Sequence, residues 1–150
     1  MKKAATLLLL ITIVLITVGC PPSHRKDKAK EDITFIYQAA GMITYKKVTI
    51  TQDTVITAND RDESNEITTA LEENSWKELM NELQKIDVNT LNELKAPSTG
   101  YTYDAALGAT LTIKKDGVNY TSTMFDHGNP PQAIKGLVNS IIKASALEMR

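Results

Sequence analysis

The stretch ITFIYQAAGMITYKKVTITQDTVITAND, residues 33–60, decides the fold of this chain. β-Branched and aromatic residues dominate it, and these residue types fit the pleated surface of a sheet. Ile33, Phe35 and Tyr37 occur at every second position, which is the period of a strand with one buried face. The stretch therefore predicts consecutive strands rather than a helix.

Three features divide this stretch into separate strands. Residues 39–41, Ala-Ala-Gly, predict a bend after the first strand. The apolar alternation changes parity at Lys46-Lys47, which predicts a β-bulge at that step. Gln52-Asp53 predicts a hairpin turn, after which residues 54–58 return as the partner strand.

The second half of the chain predicts a further hairpin. Residues 109–113 alternate as a strand, and residues 118–125 return after the turn Lys115-Asp116-Gly117. Asp-Gly is a strong signal for a hairpin turn because both turn positions need a positive φ. With one more strand at residues 66–71, the sequence predicts about five or six strands.

Two helices and one short helical segment complete the expected elements. Ser75 and Glu78 have the spacing of a capping box, which predicts a helix over residues 75–85. A proline opens a second helix over residues 131–145. Apolar residues recur along both at the helical period. Residues 87–94 predict a short helical segment between the two helices.

These elements predict one α+β domain over residues 33–150. Its antiparallel sheet of about five or six strands packs one face against the two helices, because each apolar stripe must be covered by another layer. A domain of this length buries roughly 65% of its unfolded surface, which is enough for a core without disulfides.

A secretory signal precedes the domain. A basic head, Met1-Lys2-Lys3, is followed by an apolar run over residues 4–18. The run is shorter than the roughly 20 residues that a spanning helix needs. A cleaved signal peptide over residues 1–19 is therefore favoured over a permanent transmembrane anchor.

The end of this run, Thr17-Val18-Gly19-Cys20, resembles the lipobox of bacterial lipoproteins, although Thr17 stands where that motif usually has leucine. The resemblance implies cleavage after Gly19, a diacylglyceryl group on the Cys20 thiol and acylation of the new N-terminus. Each buried acyl methylene contributes about 0.8 kcal/mol, so the expected partner at Cys20 is a membrane. The alternatives are a plain signal peptide with a chance cysteine at its end, or a structural cysteine.

A charged segment separates Cys20 from the first strand. Pro21-Pro22 favours extended backbone, and residues 23–32 carry almost no apolar side chain. The sequence therefore predicts a disordered tether over residues 20–32. Its basic residues could contact anionic lipid headgroups, but the mixed charges favour a soluble spacer.

Composition excludes several classes of function. Removal of residues 1–19 leaves 15 basic and 18 acidic side chains, a formal charge of −3, which is not the charge balance of a nucleic-acid-binding domain. The sequence has no glycine-rich phosphate loop and no Cys-x-x-Cys pair. His127, the single histidine of residues 33–150, cannot form a zinc site alone. We therefore expect no cofactor and no metal.

Tyr101, Tyr103 and His127 are the candidate binding residues. Tyrosine is favoured at interfaces, and a recognition patch around Tyr101 and Tyr103 could include Tyr37 and Tyr45. The alternative is that these tyrosines are half-buried packing residues. A general base needs an orienting carboxylate and a nucleophile beside it, so we interpret His127 as a turn or surface histidine.

Residues 74–142 resemble the small uncharacterised lipoproteins common in Bacteroidota. The resemblance rests on Ser75-Trp76-x-x-Leu79, on residues 86–94, on Asp104-Ala105-Ala106, on the Lys115-Asp116-Gly117 turn and on Pro130-Pro131. It implies an α+β domain and a place in the cell envelope, such as the outer membrane. It carries over no catalytic residue.

The expected function is that of a lipid-anchored, non-enzymatic binding or accessory module of the envelope. Its partner would be a protein, a peptide or a glycan. The alternative is a periplasmic inhibitor that blocks a hydrolase with an exposed loop, at residues 96–103 or 126–131. A deep polar cleft that contains His127 and Asp104 would instead favour an enzyme.

Overall fold

A computed structural model describes residues 32–147 of the chain. The predicted signal peptide, the predicted lipidation site at Cys20 and the predicted tether up to residue 31 lie outside these residues, as do residues 148–150.

The fold is α+β, as the sequence predicts. Seven strands form one antiparallel sheet: β1 (Ile33–Ala40), β2 (Tyr45–Ile50), β3 (Thr54–Ala58), β4 (Ile67–Ala70), β5 (Gly108–Lys115), β6 (Val118–Thr121) and the two-residue β7 (Phe125–Asp126). Their order is β4-β3-β2-β1-β5-β6, with β7 also paired to β5. The helices are α1 (Glu73–Leu83) and α2 (Lys135–Ser145), and the 3-10 helices are Val88–Glu93, Gly100–Tyr103 and Gln132–Ile134.

The core lies between the helices and one face of the sheet. Phe35 of β1 pairs with Ile50 of β2 and Ile113 of β5, and none of the three is exposed to solvent. The helices cover this face with buried side chains, among them Leu79, Leu83, Leu137, Val138 and Ile141. The ring of Trp76 on α1 meets the Phe35 ring edge-on at 5.7 Å. Both helices therefore bury their apolar stripes on the same layer.

Two predicted hairpins are confirmed. The turn between β2 and β3 is closed by a hydrogen bond from Thr51 N–H to the Thr54 carbonyl, 2.9 Å. Between β5 and β6, Asp116 and Gly117 have φ values of 50° and 82°. Positive φ at both turn positions matches the right-handed twist of the two strands.

Two predictions in the first half are wrong. Residues 39–41 do not bend as a unit, because Ala39 and Ala40 stay in β1. The bulge at Lys46-Lys47 is absent from the described residues, since the β1–β2 register runs through this step without a gap. The parity change in the sequence depends on Ile43 and Tyr45 being counted with the buried residues Val48 and Ile50. Ile43 lies in the turn, and Tyr45 lies on the opposite face of β2 from Val48.

The predicted strand over residues 118–125 is interrupted. β6 ends at Thr121, and the Ser122 hydroxyl accepts a hydrogen bond from Leu111 N–H at 3.0 Å. Thr123 N–H then donates to the Leu91 carbonyl of the first 3-10 helix, at 3.3 Å. The chain leaves the sheet to make this contact and rejoins β5 as β7.

The capping box predicted at Ser75 and Glu78 does not form. The α1 helix begins two residues earlier, after Glu72, without a side-chain cap. Glu78 instead accepts hydrogen bonds from Ser140 at 3.1 Å and Lys143 at 3.2 Å, which join α1 to α2. The short helical segment is confirmed as the 3-10 helix Val88–Glu93. Within residues 32–147, no helix has the length and apolarity to cross a membrane.

The chain enters the sheet at one end and forms a group of loops at the other. Ile33 pairs with Lys115 beside the β5–β6 turn, whereas Ala40 pairs with Gly108 and Tyr45. Seven strand steps of about 3.3 Å place these two ends about 23 Å apart. The end at Ala40 carries the candidate site.

Candidate binding site

The turn between β1 and β2, which we call the hairpin tip (residues 41–44), projects two apolar side chains into solvent. Met42 is 83% exposed and Ile43 is 96% exposed. The tip is closed by a hydrogen bond from Gly41 N–H to the Thr44 carbonyl, 2.9 Å. A Cβ on Gly41 would lie 2.7 Å from Leu107 Cδ2, so glycine allows the tip to approach residues 104–107 closely.

Polar contacts brace the hairpin tip from the neighbouring loop. The Arg61 guanidinium donates to the Gly41 carbonyl and lies 5.8 Å from the centre of the Tyr45 ring. Glu63 accepts from Lys47 Nζ at 2.7 Å and from the Tyr45 hydroxyl at 3.2 Å. The hydrogen bond between Lys47 and Glu63 raises the pKa of Lys47 and lowers that of Glu63. The two exposed side chains therefore stand on a fixed support.

A cavity of about 600 Å³, which we call the tip cavity, opens beside the hairpin tip. Its walls are the hairpin tip, the segment between the second 3-10 helix and β5, and one histidine: Gly41, Met42, Ile43, Thr44, Asp104, Ala105, Ala106, Leu107 and His127. Apolar residues form most of this lining. Cavities of roughly 300–1,000 Å³ hold small molecules or a few side chains.

His127 is held in one orientation at the tip cavity. Its Nδ1 lies 2.7 Å from the Tyr37 hydroxyl, and its backbone N–H donates to the Leu107 carbonyl at 2.8 Å. Burial raises the pKa of Tyr37 well above its usual range, and the Gly128 backbone N–H donates to the same oxygen. The phenol therefore keeps its proton, and we expect it to donate that proton to Nδ1, which leaves the imidazole hydrogen on Nε2.

Asp126 joins the two loops that the sequence singles out. Asp126 is 7% exposed, and its carboxylate accepts from the Ser98 hydroxyl, from Gly100 N–H at 2.9 Å and from Tyr101 N–H at 2.7 Å. The Ser98 hydrogen bond, followed by those from the Tyr101 and Gly100 amides, lowers the pKa of Asp126. Asn129 donates to Ser98 Oγ at 2.8 Å. Hydrogen bonds thus join residues 98–101 and 126–129 into one unit.

The structure does not bring the predicted site residues together in one patch. Tyr103 is 70% exposed and Tyr101, on the same 3-10 helix, is half-buried. His127 lines the tip cavity with Asp104. Inclusion of Tyr37 in a surface patch is wrong, because Tyr37 is fully buried and supports His127 from below. Tyr45 lies beneath Arg61 rather than in a tyrosine patch.

The exposed apolar pair and the aspartate that joins the loops are not predicted from the sequence. Met42 and Ile43 look like strand residues in sequence, and the glycine before them is the one local sign of a turn. Asp126 follows a strand and precedes a Gly- and Pro-containing loop, a position at which aspartate often bonds to loop amides. Met124, 46% exposed beside Gly108, adds apolar surface at this end.

The chemistry that this site offers is chiefly contact with apolar groups. Thr44, Asp104 and His127 are the polar side chains among the cavity-lining residues. Across residues 32–147, no group of three or more His, Cys, Asp or Glu side chains is placed to hold a metal ion.

In comparisons with known protein families, with curated proteins and with solved structures, the chain matches none.

Proposed function

We propose that this protein is a lipid-anchored, non-enzymatic binding module of the cell envelope, and that the hairpin-tip end of its sheet is the binding surface. The signal pattern and Cys20 support the anchor. The observation that carries the binding role is the exposure of Met42 and Ile43 on a braced turn beside an open cavity.

A contiguous patch of exposed apolar side chains marks an interaction site, and Met42 and Ile43 are adjacent on the hairpin tip. Burial of an isoleucine or methionine side chain contributes roughly 1.5–3 kcal/mol, and this contribution remains unused at Met42 and Ile43. Because Arg61 holds the tip in place, a partner that covers it orders few side chains, and the ordering of side chains is a main cost of association.

The two parts of the proposal have separate tests. For the anchor, Cys20→Ser should shift the protein from the membrane fraction to the soluble fraction or leave it uncleaved, and mass spectrometry should find acyl chains on wild-type Cys20. A bare thiol at the mature N-terminus would refute the anchor.

For the binding surface, the double variant Met42→Ser/Ile43→Ser should lose the partners that co-isolate with the wild-type protein from its native envelope. The matched control, Val118→Ser, removes an apolar side chain that is 52% exposed at the opposite end of the sheet. It should retain those partners. Equal partner recovery from the double variant and the control would contradict the assignment of the surface.

The lock at Asp126 favours a second candidate, a hydrolase inhibitor. A blocking loop works best when it is held in its bound conformation before it binds, and Asp126 holds the loop that presents Tyr103. The purified protein should then slow hydrolysis of fluorescent casein by a periplasmic extract, and Tyr103→Ala should abolish the effect. Unchanged hydrolysis with the wild-type protein would eliminate this candidate.

A further inference from the structure

The tip cavity combines an apolar lining with a single carboxylate. Met42, Ile43 and Leu107 provide the apolar walls, and Asp104 is the one acidic residue of the lining. Asp104 has a φ of 58°, and its N–H donates to the Gly100 carbonyl at the end of the 3-10 helix. Aspartate tolerates this left-handed backbone better than most residues. The backbone hydrogen bond therefore fixes the point beside the cavity from which the Asp104 side chain extends.

The charge of Asp104 is not neutralised by the described residues. Within residues 32–147, the carboxylates of Glu63, Glu73, Glu78 and Glu82 form ion pairs with lysines, whereas none is seen at Asp104. The cations near the hairpin tip have other partners, since Lys47 pairs with Glu63 and Arg61 bonds to the Gly41 carbonyl. A carboxylate in this position favours a cation from the occupant of the cavity and repels anionic lipid headgroups.

We propose that the tip cavity receives a segment of a partner protein in which an apolar side chain is followed by lysine or arginine. The apolar side chain packs between the hairpin tip and Leu107, and the cation pairs with Asp104. This inference rests on the proposed function and specifies the partner that the hairpin-tip end recognises.

Three synthetic peptides test the two requirements separately. They are acetyl-Gly-Gly-Leu-Lys-Gly-Gly-amide, the same peptide with Glu in place of Lys, and the same peptide with Ser in place of Leu. Binding is measured by methyl NMR on the full chain in neutral detergent micelles. The Leu-Lys peptide should shift the Met42 and Ile43 methyl signals in a saturable manner. It should bind about two- to fivefold more tightly than the Leu-Glu peptide, the range of an exposed ion pair.

Charge substitutions identify the carboxylate. Asp104→Asn should remove the preference for Leu-Lys, and Asp104→Lys should reverse it in favour of Leu-Glu. The matched control is Asp116→Lys, because Asp116 is also an exposed aspartate with a positive φ of 50° but lies at the opposite end of the sheet. The control should keep the wild-type preference.

Four outcomes would overturn the inference: no saturable binding of the Leu-Lys peptide, equal binding of Leu-Lys and Leu-Glu, equal binding of the Ser-Lys peptide, or an unchanged preference in Asp104→Lys. Concentration-dependent shifts of the same methyl signals without peptide would also overturn it, because a second copy would then occupy the cavity. Each of these results leaves the envelope test of Met42→Ser/Ile43→Ser standing, so failure of the inference is distinguishable from failure of the proposed function.

Discussion

Tyr37→Phe removes the hydroxyl that supports the histidine of the tip cavity. Tyr37 is fully buried, and its hydroxyl connects His127 Nδ1 at 2.7 Å with the Gly128 N–H. Phenylalanine keeps the ring and its contact with the Phe125 ring, whose centre lies 6.3 Å away. The substitution therefore isolates the effect of one oxygen atom.

The expected loss of stability follows from the two groups that this oxygen serves. A buried group left without its hydrogen-bond partner costs about 1–3 kcal/mol. Because Gly128 is exposed, its N–H can bond to water instead, which reduces the cost at that group. We expect a decrease of about 2 kcal/mol in the free energy of unfolding. With a urea slope of about 2 kcal/mol per molar, the unfolding midpoint falls by about 1 M.

The assay is urea unfolding of the chain that begins at residue 20 and carries Cys20→Ser, followed by tryptophan fluorescence and circular dichroism. Trp76 is partly buried against the core residue Phe35 and reports the loss of packing. The matched control is Tyr120→Phe, which removes the hydroxyl of a half-buried tyrosine elsewhere in the sheet. The control should change the unfolding free energy by less than about 0.5 kcal/mol.

Imidazole nitrogen NMR distinguishes a lost hydrogen bond from altered packing. The wild-type His127 ring should carry its hydrogen on Nε2, and Tyr37→Phe should give a mixture of the two tautomers. An unchanged midpoint together with an unchanged tautomer would show that Tyr37 does not hold His127.

Three further predictions concern the loops and the core. Asp126→Asn replaces an acceptor with a partial donor, so amide exchange at Gly100 and Tyr101 should accelerate at least tenfold by hydrogen-exchange NMR. Because the pKa of Asp126 is lowered, protection of these amides in the wild-type protein should be complete above the ordinary aspartate pKa of about 3.9 and should be lost as the pH falls through a lower value. A midpoint of this loss above about pH 3.9 would contradict the assignment. Gly117→Ala places a Cβ at a φ of 82° and should lower the unfolding free energy by about 1–2 kcal/mol in urea titrations; an unchanged midpoint would refute the turn geometry. Phe125→Ala opens a cavity at a fully buried position and should cost about 3–5 kcal/mol by thermal unfolding; a cost below about 1 kcal/mol would show that Phe125 lies outside the core.

The sequence predicts the parts of this fold that depend on neighbours in the chain. Asp116 and Gly117 form their turn because both residues accept a positive φ. The buried face of β1 follows from the period of two in Ile33, Phe35 and Tyr37. These local rules need no information about the rest of the chain.

The candidate site depends on contacts between distant parts of the chain, and these have no local signal. The hairpin tip meets Leu107 only because β1 pairs with β5, which lies more than 60 residues further along the chain. Asp126 bonds to Ser98 and Tyr101 across 28 and 25 residues. The capping-box prediction fails for the same reason, since a contact between helices engages Glu78.

The envelope location and the lipid on Cys20 are proposals that rest on the N-terminal sequence, and the Bacteroidota resemblance is a proposal that rests on residues 74–142. The structure supports a separate proposal, that the hairpin-tip end of the sheet is a binding surface.

Site-specific photo-crosslinking in the living cell tests that claim most directly. A benzoylphenylalanine placed at position 43 should give a discrete cross-linked species on illumination, and the same residue at position 118, at the opposite end of the sheet, should give none. A cross-linked species at position 118 and none at position 43 would show that the hairpin tip is not the binding surface.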